Sequence, residues 1–159
     1  MKKAKAFENV KTQVGYCGIW CGSCAVGNGT LRELSQGFFD LIEGHGLAHW
    51  GPKALEYDRF VKELVAMQGI PLCPGCRRGG GRTRCELRDC AQAQGLADCL
   101  ACGTFKSCRH GKLLGHMRCG ALKAGLFVKV RKGDSRTLVA GWTRKLKHQW
   151  PGGVLFLEG

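Results

Sequence analysis

CPGCRRGGGRTRCELRDCAQAQGLADCLACGTFKSC, residues 73–108, is the stretch whose reading decides the fold. It carries Cys73, Cys76, Cys85, Cys90, Cys99, Cys102 and Cys108. The gaps between the first six are two, eight, four, eight and two residues, the same from either end. Scattered structural cysteines do not make such a pattern, whereas thiolate knuckles do. Two sulfurs two residues apart can grip one ion while the backbone N–H groups of the turn soften their charge. A second string, YCGIWCGSC at residues 16–24, supplies Cys17, Cys21 and Cys24 in a C-x3-C-x2-C spacing. Ten of the eleven cysteines fall in these two groups, and Cys119 stands apart.

The rest of the chain sets the scale of the problem. At 159 residues it is long enough for one domain. Its 25 glycines rule out one long bundle and point to a small apolar core, with metal crosslinks supplying much of the stability. The start, MKKAKAFENVKTQ, is basic and lacks the apolar run of a signal peptide. No stretch approaches the roughly 20 apolar residues of a membrane span. The expectation is therefore a cytoplasmic protein with no membrane partner, in a compartment that keeps thiols reduced. A disulfide framework is the rival, but it needs export, and eleven cysteines suit it less well than an even count.

Formal charge is +13 and unevenly placed. Between residues 101 and 150 there are twelve Lys or Arg side chains and one acid, Asp134. Thiolate sites offset part of this excess, since a four-cysteine zinc centre is itself anionic. The remainder suits nucleic acid or another polyanion, or is a solvated basic surface. Arg77, Arg78, Arg82, Arg84 and Arg88 would add to such a surface.

Reading along the chain, residues 1–14 look like a tail leading into the first knuckle. Thr30 to Glu43 predicts a helix, with Thr30 and Glu33 at capping-box spacing and Leu31, Leu34, Phe38, Leu41 and Ile42 on one face. Pro52 to Gln68 predicts a second, with Tyr57, Phe60, Val61, Leu64 and Val65 as its stripe. Both stripes read as core. Glu86 to Gln94 predicts a short helix closed by Gly95, and Lys112 to Ala124 another with Leu114, Met117, Ala121 and Ala124 in line. Phe127 to Lys132 fits a helix or a short strand. Asp134 can cap a last helix carrying Leu138, Val139, Trp142 and Leu146, and the apolar tail VLFLEG can dock or pair as an edge strand. The expected fold is a small, metal-stabilised, mostly α-helical domain with irregular Cys-rich loops, and a short β-hairpin or edge strand is the β element the pattern allows. Residues 1–159 form one domain in this reading. It has a Cys-rich metal-binding region at 15–110 containing a helical spacer at 30–68, and a basic helical extension at 111–159.

These strings together resemble a family of short, uncharacterised, cysteine-rich prokaryotic proteins described as zinc-binding (domain of unknown function 3795). The family pattern runs C-G-x-x-C-x-x-C, C-x-G-C, C-x-x-x-x-C-A and C-x-x-C with a last Cys shortly after. It falls here on Cys17, Gly18, Cys21, Cys24, Cys73, Gly75, Cys76, Cys85, Cys90, Ala91, Cys99, Cys102 and Cys108. The resemblance spans about residues 15 to 110 and implies metal binding without an activity. The chain departs from the pattern at Lys106-Ser107, where an aromatic-Pro pair usually precedes the last cysteine. The basic region from His110 onward lies outside it.

Zinc takes four ligands in a tetrahedron, and all-sulfur sites are structural ones. Two or three zinc ions are expected, held by Cys17, Cys21, Cys24, Cys73, Cys76, Cys85, Cys90, Cys99, Cys102 and Cys108. One grouping joins Cys73, Cys76, Cys99 and Cys102. Another joins Cys73, Cys76, Cys85 and Cys90, with Cys99, Cys102 and Cys108 in a second site. Cys17, Cys21 and Cys24 need a fourth partner from the second group, or His110 or Cys119, or else leave a position open. A [4Fe–4S] cluster in electron transfer or sensing is the alternative cofactor, since clusters also take all-cysteine ligation. The chain is too short for the α/β barrel that radical chemistry on such a cluster would call for. Cys119 reads as a spare surface thiol, His45 and His49 as loop residues, and His110 and His116 as minor candidates. No nucleophile elbow, P-loop or H-E-x-x-H motif is present, so a binding role is favoured over an enzymatic one.

Overall fold

The computed structural model describes residues 9–149. Among these, six helices carry the regular structure: α1 (Thr30–Gly44), α2 (Leu47–Trp50), α3 (Tyr57–Gln68), α4 (Glu86–Ala93), α5 (Gly111–Lys123) and α6 (Ser135–Gln149). Single 3₁₀ turns at Cys21–Ser23, Cys76–Arg78, Cys99–Ala101 and Phe105–Ser107 shape the cysteine loops. No strand forms among the described residues. The β content is two isolated antiparallel bridges, Val14 to Trp20 and Ile19 to Val128. The hairpin allowed by the sequence is thus reduced to single bridges, and VLFLEG lies outside the described residues.

Residues 9–14 are not a tail. Gln13 O accepts from Cys21 N at 2.9 Å and Gly15 N donates to Ile19 O at 2.8 Å, so this segment flanks one side of the first knuckle. On the other side Trp20 N donates to Phe127 O at 2.9 Å and Lys129 N to Gly18 O at 2.8 Å. Cys99 N donates to Tyr16 O at 2.8 Å, which brings the second cysteine group to the same knuckle. The first knuckle is therefore a hub, pinned by segments from both ends of the chain. Sequence reading missed residues 9–14 because short polar stretches carry no periodicity.

The segment from Phe127 is extended, and its position follows from how α5 ends. Gly125 takes φ +74°, a left-handed conformation that costs glycine little, while Leu126 N donates back to Ala121 O at 2.9 Å. That reversal aims Phe127 at Trp20. Trp20 is 2 % exposed and its indole donates to Lys11 O at 2.8 Å. It meets Phe127 edge-on at 5.9 Å and stacks on Trp142 of α6 at 6.0 Å. Val14, Val139 and Leu146 complete this core. α6 starts as its sequence predicts: Asp134 accepts from Arg136 N, Thr137 N and Thr137 Oγ1. Those donors hold the Asp134 carboxyl below the usual carboxylate range. Replacing Trp20 with Ala should cost about 3–5 kcal/mol, the range for emptying a buried aromatic site. That is roughly 6–20 °C of melting temperature for a chain this size. A circular-dichroism melt within 2 °C of wild type would refute the hub.

A second core joins Cys85, Leu87 of α4 and Leu114 of α5, with Cys17, Cys99, Phe105 and Met117 packed around it. Thiols thus take part in the apolar packing.

α1 and α3 pack on each other and form the spacer. α1 begins at Thr30, as expected, but not through a capping box. Gly29 is the N-cap, and Asn28 Oδ1 accepts from both Thr30 N at 2.9 Å and Thr30 Oγ1 at 2.6 Å. Chain 52–68 is not one helix. Leu55 N closes a turn onto Pro52 O, the Tyr57 ring packs on Gly51, and α3 starts only at Tyr57. The stripes are also less buried than their spacing predicts. Ile42 and Leu64 are buried, while Phe38, Leu41 and Val65 are each more than half exposed. Two helices packed as a pair bury one strip each, which leaves the outer edges of wide stripes uncovered.

Candidate metal centre

Three stretches far apart in sequence meet around one cavity of about 190 Å³. Cys17, Cys21 and Cys24 come from the first knuckle, Cys73 and Cys76 from the C-P-G-C turn, and Cys85 from the residue before α4. The remaining wall is mostly apolar or glycine, including Val10, Gly15, Ile19, Gly27, Met117 and Leu126.

Polar groups around the cavity, and Arg82 and Arg88 on its wall, accompany these stretches, and several hold them in place. Asn9 Nδ2 donates to Gly27 O at 2.6 Å and to Cys73 O at 2.8 Å, bridging the two knuckles. Gln13 donates to Pro74 O at 3.1 Å and accepts from Arg77 N at 3.1 Å. Arg77 donates to Val14 O at 2.7 Å and Ala97 O at 2.5 Å while lying over the Tyr16 ring at 4.5 Å. Arg88 donates to the carbonyls of Gly80, Arg82 and Thr83, and so folds the loop of residues 79–84. Arg118 Nη2 reaches Lys129 O at 2.7 Å beside the first knuckle. Arg77 and Arg88, counted in the sequence as surface charge, are thus struts between loops, Arg77 from an exposed position and Arg88 from a half-buried one. Val10, on the cavity wall, has φ +51°, an uncommon conformation for a β-branched residue and a point of backbone strain.

All eleven cysteines are free thiols. Among the described residues, no three Cys, His, Asp or Glu side chains are already converged as a ligand set. The thiols nevertheless crowd one another. A Cβ built on Gly15 would lie 3.1 Å from Cys76 Sγ and 3.5 Å from Cys17 Sγ, so both sulfurs face the same space. One on Gly80 would lie 2.9 Å from Cys73 Sγ. A hydrogen bond from Cys21 to Cys76 holds the Cys76 thiol below its ordinary range and pushes Cys21 above it. Arg77 and Arg88 also favour the Cys76 thiolate. Burial pushes the Cys17 thiol up, and Cys76 and Cys85 add to this by like charge.

These features pass a direct test of fit. The donors are soft, the wall between them is mostly apolar, and two glycines keep clear the space a side chain would fill. Six thiols exceed the four that one tetrahedral ion needs. If these thiols hold zinc, Gly15→Ala should lower its affinity about 10- to 100-fold, the range for disturbing groups that orient ligands. Competition against a chromophoric chelator measures this, and an unchanged affinity would mean the ions sit elsewhere.

The other four candidate cysteines lie off this cavity. Cys99 is pushed up to about 11, first by burial and then by the charges of Cys17, Cys108 and Cys90, so those thiols are its neighbours. Cys90 Sγ accepts from Gln94 Nε2 at 3.1 Å. Cys102 faces another way: its sulfur is 3.2 Å from Thr104 Oγ1, whose hydrogen bonding and the charge of Lys132 lower its pKa. The structure thus places Cys73 and Cys76 with Cys17, Cys21, Cys24 and Cys85, and not beside Cys102. His110 Nδ1 is 3.0 Å from Glu86 Oε2 and its Nε2 accepts from Arg109 at 3.0 Å, so both ring nitrogens are engaged. His45 and His49 lie at α2, and Cys119 is exposed on α5. Asn9, Gln13 and Arg77, which position the thiols, were invisible in the sequence because nothing in their spacing sets them apart.

Among the described residues no helix is long and apolar enough to cross a membrane. No curated protein and no solved structure matches the chain. A family model described as protein of unknown function (DUF3795) matches residues 13–113, from the bridge residues before the first knuckle to the start of α5. This chain is a member of that uncharacterised, cysteine-rich family.

Proposed function

We propose that this protein binds zinc through the cavity cysteines and that the metal is structural. The observation that carries the reading is the meeting of six thiols, from stretches up to 68 residues apart, around one cavity. When bound, the metal would crosslink these stretches and stabilise the thiolates formed as it displaces their protons. Cys21 and Cys76 are the first ligands to name, with Cys17, Cys24, Cys73 and Cys85 around them. The neighbouring set of Cys90, Cys99 and Cys108 offers donors for a second ion. The protein's own part is positioning: Asn9 and Gln13 tie the knuckles, and Arg77 and Arg88 favour the ionised form of Cys76.

Replacing both Cys21 and Cys76 with Ser should remove at least one zinc per chain, read by elemental analysis. Cys119→Ser should leave the content unchanged. Equal zinc in both variants would reject the site. Affinity should also depend on pH. Cys17, Cys21 and Cys99 are raised and so hold their protons at neutral pH in the metal-free protein. Zinc must displace those protons, so affinity rises with pH, about tenfold per unit for each proton released. Cys76 is lowered and contributes least to this dependence near neutrality. A flat profile from pH 6 to 8 would contradict thiol ligation.

A further inference from the structure

A groove of about 370 Å³ lies between the Cys102–Ser107 loop and residues 130–132. Lys106, Arg131 and Lys132 line it, with the hydroxyls of Thr104 and Ser107, and all five residues are exposed. No acid pairs with these three cations among the described residues. The two carboxylates close by in sequence are engaged internally. Asp98 accepts from Lys129 Nζ at 2.7 Å and from Leu100 N and Ala101 N. Asp134 is held by the first turn of α6. Arg77 and Arg88, near the cysteine cavity, are turned onto backbone carbonyls, so this groove collects basic charge that the fold itself does not use.

We infer that this groove binds the phosphodiester backbone of a single-stranded nucleic acid. Three unpaired cations in a concave track suit phosphate oxygens spaced along a flexible strand, while the Thr104 and Ser107 hydroxyls are taken up by Cys102 Sγ and Thr104 O. Sequence-specific reading of a duplex needs a helix or ribbon entering its groove, and the groove walls here are loops and single 3₁₀ turns. Val130, 69 % exposed, gives a base an apolar surface to rest on. An anionic bilayer fits less well. Membrane-surface binding needs a protruding face with several large apolar side chains, whereas Val130 is the exposed one lining this groove and the other walls are polar, basic or covered. The inference is independent of the metal reading.

Fluorescence anisotropy of a labelled 20-nucleotide single strand with the full-length, metal-loaded protein tests it. Three phosphate contacts give a salt slope of about −2, so affinity should fall roughly twentyfold between 50 and 200 mM KCl. The variant K106E/R131E/K132E should lose at least tenfold at 50 mM KCl and show a flatter slope. K53E/R59E/K62E makes the same charge change in α3 and the turn before it and should lose less than threefold. Both variants must keep wild-type zinc content and melting temperature; if the reversal disturbs these, K106Q/R131Q/K132Q replaces it, with at least a fivefold loss expected. Equal losses in the groove and control variants, or no binding of the strand at 50 mM KCl, would overturn the assignment. So would tight binding to phosphatidylserine vesicles by a protein that leaves the oligonucleotide free.

Discussion

Stripping zinc from this protein should abolish its cooperative melting transition. Structural zinc contributes about 10–16 kcal/mol in small domains, whereas a whole domain is stable by only about 5–15 kcal/mol. The apolar cores here are small: Trp20 with Val14, Val139 and Leu146, and Leu87 with Leu114 and surrounding thiols. Neither is large enough to hold the cysteine loops once like-charged or unpaired thiols replace a metal crosslink. The near-ultraviolet circular dichroism of the Trp20–Trp142 stack should disappear with a strong chelator under reducing conditions. Part of the far-ultraviolet helical signal should persist, because α1 and α3 pack on each other and contain no cysteine. Zinc returned in slight excess should restore the transition. A melting curve unchanged by chelation would show that the metal is not structural.

Lys129→Met should be as damaging as emptying the Trp20 site, away from the cysteines. Lys129 Nζ and Asp98 Oδ2 are 2.7 Å apart, and both side chains are at least nine-tenths buried. Asp98 also accepts from Leu100 N and Ala101 N, so it shapes the turn that carries Cys99. Lys129 N in turn bonds Gly18 O in the first knuckle. Removing one partner of a buried pair leaves a charge without compensation and costs about 3–5 kcal/mol. That corresponds to roughly 6–20 °C of melting temperature. The double variant D98N/K129M removes both charges and should recover part of the loss, while the Asn oxygen still serves the turn. Denaturant titration of the two single variants and the double variant gives the coupling. Additive losses would mean that the pair is not acting as one unit.

The parts of the fold legible in sequence were those with a local signal. α1, α4 and α5 start and stop, and α6 starts, within about two residues of where periodicity and caps place them, since each has an apolar stripe and a glycine or aspartate boundary. The split of chain 52–68 was not legible, because the packing of Tyr57 on Gly51 is a contact rather than a pattern. For the same reason the stripes of α1 and α3 overstated burial at Phe38, Leu41 and Val65. In the candidate site, residue type and spacing marked the cysteines. Their grouping was hidden, since it depends on Asn9, Gln13 and Arg77 drawing the C-P-G-C turn against the first knuckle. The difference between Arg77, a strut, and Lys132, a free surface charge, was likewise set by tertiary contacts.

Elemental analysis of reduced, anaerobically purified protein, paired with native mass spectrometry, tests the central claim most directly. Ten clustered thiols are enough for two tetrahedral ions. The account predicts at least two zinc atoms per chain, no iron, and a mass shift that vanishes on chelation. Less than one metal atom per chain, or iron accompanied by acid-labile sulfide, would contradict it.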